Sequence, residues 1–78
     1  MKKTVEKRSE EDLLRTHDVR GKTPGWFFRV REKSPCHWEV EGLDEWGRRV
    51  VVEGSDPHNL LSEAELMAES VVNERNSI

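Results

Sequence analysis

From Gly25 onward the apolar residues fall at alternate positions. Trp26, Phe28 and Val30 share one parity and Phe27, Arg29 and Arg31 the other, while Trp38 and Val40 alternate in the same way with Glu39 and Glu41. Period-two alternation is the mark of strands with one dry and one solvated face, so the two runs predict a hairpin. A third run, Arg48 to Gly54, puts Val50 and Val52 on the same side as Trp38 and Val40. Between them, Asp44-Glu45-Trp46-Gly47 suits a type I turn closed by a glycine at positive φ. If Val30 faces Val40, then Arg31 faces Glu39 and Arg29 faces Glu41. The third strand has two registers open to it. Val40 against Val50 would set Arg49 opposite Glu41, and a pairing displaced by two residues is the other.

Past Gly54 the period lengthens. Asp56 can cap a helix whose first position is Pro57, where the missing N–H costs nothing; a later start with Ser62 and Glu65 as a capping box is the other choice. Leu60, Ala64, Met67 and Val71 follow at helical spacing, flanked by Leu61, Ala68 and Val72, which gives one apolar stripe to lie across a small sheet. Glu63, Glu65, Glu69 and Glu74 take most of the remaining surface, and Asn73 onward is expected to fray.

Residues 1–24 offer few apolar positions and end in Gly21-Lys22-Thr23-Pro24, which is loop composition. They predict a mobile arm. Ser9 with Asp12 resembles a weak capping box ahead of Leu13 and Leu14, so a short helix over residues 10–16 is allowed, though it is too short to persist unless it docks. The expected architecture is α+β: a three-stranded antiparallel β-meander followed by one C-terminal α-helix packed on the sheet, with a mobile or short-helical N-terminal arm. The single domain spans 25–75, and 76–78 form a frayed tail.

Composition narrows the function. A chain of 78 residues has room for one small core and not for a large catalytic cleft. An apolar fraction of 33% against 37% charged is lean, yet three Trp and two Phe argue for a folded part. No apolar run approaches the roughly 20 residues of a membrane span, and the Met-Lys-Lys start lacks a signal-peptide apolar stretch. One cysteine cannot close an internal disulfide. These features predict a soluble, cytoplasmic protein with no membrane partner. The net charge of -3 is unevenly spread: +2 over residues 1–24, -1 over 25–54 and -4 over 55–78. A polyanion would be repelled by the last third.

Candidate chemistry is thin. Cys36 beside His37 suggests a nucleophile and base, but neighbours on a strand point to opposite faces, and one Cys with scattered His17, His37 and His58 is far from a zinc signature. Glu39, Glu41, Asp44, Glu45 and Glu53 could do acid-base work only inside a cleft, which a small open sheet does not offer. Gly42, Gly47 and Gly54 fall at strand ends, where turn chemistry accounts for them. No enzyme, cofactor or metal is expected.

Two binding functions remain. Phe27 on the outer sheet face, Trp46 in a turn and Leu66 off the helix stripe are large apolar groups without a home, and such groups mark interaction surfaces. They predict a non-enzymatic binding or regulatory domain that docks a protein through this patch or by strand addition at a sheet edge, as a monomer or weak homodimer. The arm could equally fold back, so that Leu13, Leu14 and Val19 cover Phe27 or Leu66.

The alternative is a DNA- or RNA-binding module using Lys2, Lys3, Lys7 and Arg8 of the arm with Phe27, Arg29 and Arg31 of the sheet. Strands followed by a helix are similar in order to the three-strand-plus-helix DNA-binding domains of the integrase arm-binding type. With a first helix, the order resembles double-stranded-RNA-binding domains. That family has a lysine-rich start to its last helix, whereas Ser55-Asp56-Pro57-His58-Asn59 is acidic here. Cross-strand pairing of Arg29 and Arg31 with Glu41 and Glu39 would also withhold both arginines from phosphate, and the protein-binding function is the stronger expectation.

Overall fold

The computed structural model describes residues 7–76, with side chains described through residue 72. Lys2 and Lys3, and the last two residues of the expected tail, lie outside that range. The elements in chain order are α1 (Glu10–Thr16), β1 (Val19–Arg20), β2 (Trp26–Ser34), β3 (His37–Asp44), β4 (Arg49–Gly54) and α2 (Pro57–Asn76). The strands form one antiparallel sheet in the order β1-β2-β3-β4. The fold is α+β, with a C-terminal helix on an antiparallel meander. It has four strands where the sequence predicts three, because β1 holds only two residues, too few for alternation to register.

α2 starts at the earlier of its two candidate caps. Asp56 Oδ1 accepts from the N–H groups of His58 at 3.0 Å and Asn59 at 3.4 Å, filling donors that the first turn cannot satisfy. The helix lies mainly over β3 and β4. Leu60, Ala64 and Ala68 are buried against Trp26, Phe28, Val40 and Val50, with Leu61, Val71 and Val72 at the margin. The stripe is thus centred on two alanines, whose small size lets the helix approach the sheet; Met67, expected within it, is 39% exposed.

Phe28 sets the depth of this layer. A Cβ on Gly42 would stand 2.5 Å from the Phe28 ring, and one on Gly21 would meet it at the same distance. Both residues must be glycine for the ring to lie between β1's exit and β3. Gly42 is therefore a packing position inside β3, opposite Phe28, and not the turn residue that its spacing suggests. Gly47, at φ 88°, is the turn glycine.

The other face of the sheet is covered at one end by α1. Ser9 caps this helix, its Oγ accepting from the Asp12 N–H at 3.3 Å. The Asp12 carboxylate turns to Arg15 at 3.7 Å, so half of the expected capping box forms. Leu13 is buried with Phe27 and Leu43, and Leu14 packs alongside. Docking supplies the stability that a seven-residue helix lacks alone. Among the described residues no helix is long and apolar enough to cross a membrane.

Candidate functional site

The outer sheet face beyond α1 carries the basic and acidic residues of the hairpin in facing rows. Val30 pairs with Val40, Arg31 with Glu39 and Arg29 with Glu41. The side chains close the pairs: Arg29 Nη2 donates to Glu41 Oε1 at 2.8 Å, and Arg31 Nη2 to Glu39 Oε1 at 2.8 Å. Lys33 Nζ lies 3.6 Å from Glu39 and 3.5 Å from Glu53, whose other oxygen is 2.8 Å from His37 Nε2. On β4 the displaced register holds, with Val40 facing Val52 and Glu41 facing Val51. Arg49 still reaches Glu41 diagonally, at 3.6 Å. The bases on this face thus have carboxylate neighbours within ion-pair range.

Glu41 is the hub. Burial opposes its ionisation, but the hydrogen bond and charge of Arg29, with His17 and Arg49, outweigh that cost and hold its carboxyl below the ordinary range. At the exposed end, the His37 hydrogen bond and the Lys33 charge do the same for Glu53.

His17 closes α1 over this hub. It follows Leu13 by four residues, so both reach the sheet from one side of the helix. Its Nδ1 is 2.7 Å from Thr16 Oγ1, and its Nε2 is 3.6 Å from Glu41 Oε2, with no hydrogen-bond partner among the described residues. Burial lowers its pKa below 6.5, against the pull of Glu41. His17 is a core histidine, and its spacing from Leu13 was the available signal.

The carboxylate and thiol candidates separate. Asp44 is buried and pins the β3–β4 turn: Oδ1 accepts from the N–H groups of Trp46 at 3.0 Å and Arg48 at 2.7 Å, and Oδ2 from Arg48 Nε at 2.5 Å. Glu45 accepts the Lys7 ammonium at 3.3 Å. Cys36 is exposed in the β2–β3 turn, at the other end of β2 from the α1 cluster and His17. Among the described residues, no three His, Cys, Asp or Glu side chains cluster to hold a metal ion.

The three apolar candidates part company. Phe27 is 5% exposed beneath Leu13, with the Arg20 guanidinium 5.7 Å over its ring; of the two expectations for Phe27, a free binding residue and a residue covered by the arm, the structure has the second, and Phe27 is not part of an exposed patch. Trp46 stays exposed in its turn. Leu66, 67% exposed, edges a groove of about 410 Å³ between α2 and the β1–β2 loop, shared with Lys22, Thr23, Leu61, Glu65 and Glu69. The Lys22 N–H donates to Glu65 Oε1 at 2.9 Å, tying the loop to the helix and shaping the groove. Neither Phe27 nor Trp46 lines it. Leu66 was legible from its place off the stripe; the loop opposite it, 43 residues away in sequence, carried no such signal.

Comparison with protein-family models, curated proteins and solved structures found no match.

Proposed function

We propose that this chain is a small non-catalytic protein-binding domain that docks its partner in the Leu66 groove, with the open sheet edge as a second route. The carrying observation is the exposure of Leu66 beside a groove that Leu61 also lines. What sets Leu66 apart from a singly exposed leucine is the groove beside it, since apolar groups gathered at a concave surface mark interaction sites. Glu63, Glu65 and Glu69 line the helix around it, and no Lys or Arg occurs between Asp56 and Val72. The partner this surface suits carries an apolar side chain flanked by lysines or arginines, steered in by charge and held by burial. The single cysteine suits a reducing compartment such as the cytoplasm.

Nucleic acid has less to hold here. Arg29 and Arg31 are engaged by glutamates, Phe27 is covered, and the helix is acidic. Phosphate would have to displace two carboxylates at 2.8 Å.

The test is site-specific photo-crosslinking from position 62, which lines the groove and leaves the Glu65–Lys22 contact intact, in cells, compared with Leu66→Asp and with Trp46→Ser as a surface control. A partner whose crosslink is lost with Leu66→Asp, kept with Trp46→Ser and weakened by salt in the purified complex supports the proposal. A partner retained by Leu66→Asp contradicts it.

A further inference from the structure

Besides the outer edge of the two-residue β1, two strand edges of the sheet are unpaired among the described residues. β4 bonds only to β3, and β2 is free beyond Phe28 because β1 reaches only Phe27 and Phe28. Their side chains distinguish them. The β4 sequence Arg49-Val50-Val51-Val52-Glu53 is symmetric about Val51 except that its two ends have opposite charge. If a second copy pairs antiparallel with it about Val51, then Val51 meets Val51 of the second copy and Val50 meets Val52. Arg49 meets Glu53, twice by symmetry, each adding to the partners it has in its own chain, Glu41 for Arg49 and His37 with Lys33 for Glu53. Every facing pair is apolar with apolar or cation with anion, the pairings that stabilise an antiparallel ladder.

The β2 edge does the opposite. With the helices of both copies on one side of the sheet, pairing about Arg31 sets Arg31 against itself and Arg29 against Lys33 of the second copy. Pairing about Val30 or Glu32 still opposes two cations. Like charges across a ladder are repulsive, and a charged edge is a common way to block strand addition.

The helix layer fits the same geometry. α2 lies mainly over β3 and β4. With strands about 4.8 Å apart, a second copy added at β4 brings its helix to roughly 10 Å from the first, the spacing of packed helices. The flank of α2 opposite the Lys22 side carries Met67, 39% exposed. Val51, 42% exposed on the outer face, is the other large apolar group at this edge.

We infer that β4 is a homodimer edge: two copies join through antiparallel β4 strands centred on Val51 into one eight-stranded sheet, with Arg49 of each copy paired to Glu53 of the other. This deepens the second route of the proposed function and names its partner as a second copy of the chain. The Leu66 groove lies on the other flank of α2, so a dimer carries two grooves facing away from the joint, suited to a bivalent partner.

The test is sedimentation equilibrium on the full chain at concentrations from micromolar to about millimolar, with circular dichroism to confirm folding. Wild type is expected to dimerise. Arg49→Glu is expected to raise the dimer Kd at least about tenfold, and Arg49→Glu with Glu53→Arg to restore it, because the swapped charges face each other again. Both side chains are exposed, but Arg49→Glu removes an ion pair with Glu41 and Glu53→Arg one with His37 and Lys33, so the monomer melt of each variant is measured alongside the dimer Kd. Hydrogen exchange should show concentration-dependent protection within residues 49–53. A monomer throughout, or a dimer indifferent to both variants, overturns the inference. Leu66→Asp should dimerise as wild type does, so this assay and the crosslinking assay fail separately.

Discussion

Leu13 of α1 and Phe27 of β2 close over each other on the sheet face opposite α2, leaving 1% and 5% of their surfaces exposed. A sheet with apolar groups on both faces needs cover on both, and the N-terminal segment provides the second cover. Leu13→Ala should cost about 2–4 kcal/mol, from lost burial and the cavity left over Phe27. Leu14→Ala, half-buried beside it, should cost less. Urea denaturation of the two variants measures the difference, and equal small losses would mean that α1 is not docked.

Gly42 should tolerate no side chain. A Cβ there meets the Phe28 ring at 2.5 Å and Val50 Cγ2 at 2.9 Å, both of them core atoms without room to withdraw. Gly42→Ala is expected to destabilise by about 1–3 kcal/mol despite the better strand propensity of alanine. Gly47→Asn, in open space at positive φ, should be nearly neutral by the same melt.

The burial of His17 sets a pH dependence, which the neighbouring Glu41 carboxylate only partly offsets. The folded pKa of His17 lies below its ordinary 6.5, so between the two values the unfolded chain binds more protons than the folded one. Stability is therefore complete above 6.5 and falls as the pH drops through the folded value. Glu41, depressed below 4.5, adds a second loss only under more acid conditions. Chemical denaturation between pH 6.5 and 4.5 should show a decline that His17→Gln flattens. An unchanged slope in that variant would remove His17 as its cause.

Cys36 sits at φ 62°, a left-handed conformation that costs a residue with a Cβ. Pro35 fixes the preceding φ, so the strain falls on Cys36 alone. Cys36→Gly should raise stability by up to about 1 kcal/mol, read from the denaturation midpoint; a loss would show that the thiol contributes packing here.

The hairpin register, the Arg29–Glu41 and Arg31–Glu39 pairs and the exposed Leu66 were legible in the sequence, because each depends on residues close along the chain or on strict alternation; the start of α2 was narrowed to two caps, of which Asp56 is the one used. What was not legible depends on distant segments meeting. Whether Phe27 is exposed or covered stays open in the sequence, because the arm that brings Leu13 to it has almost no apolar pattern. Gly42 reads as a turn residue until Phe28 lies across it. Met67 and Ala68 are equally apolar candidates for the helix stripe, and only the approach of α2 to the sheet decides between them. The register of β4, left open between two choices, follows from packing rather than from charge: the observed pairing sets Val40 against Val52 and leaves Arg49 to reach Glu41 diagonally.

The central claim is that the sheet's cations are taken up internally and that binding passes through protein surfaces. An NMR titration of the ¹⁵N-labelled chain with single-stranded and duplex oligonucleotides of mixed sequence at low salt tests it most directly. The amides of Arg29 and Arg31 are expected to stay in place at every ratio. Shifts at those amides that grow with oligonucleotide and vanish as salt rises would contradict it.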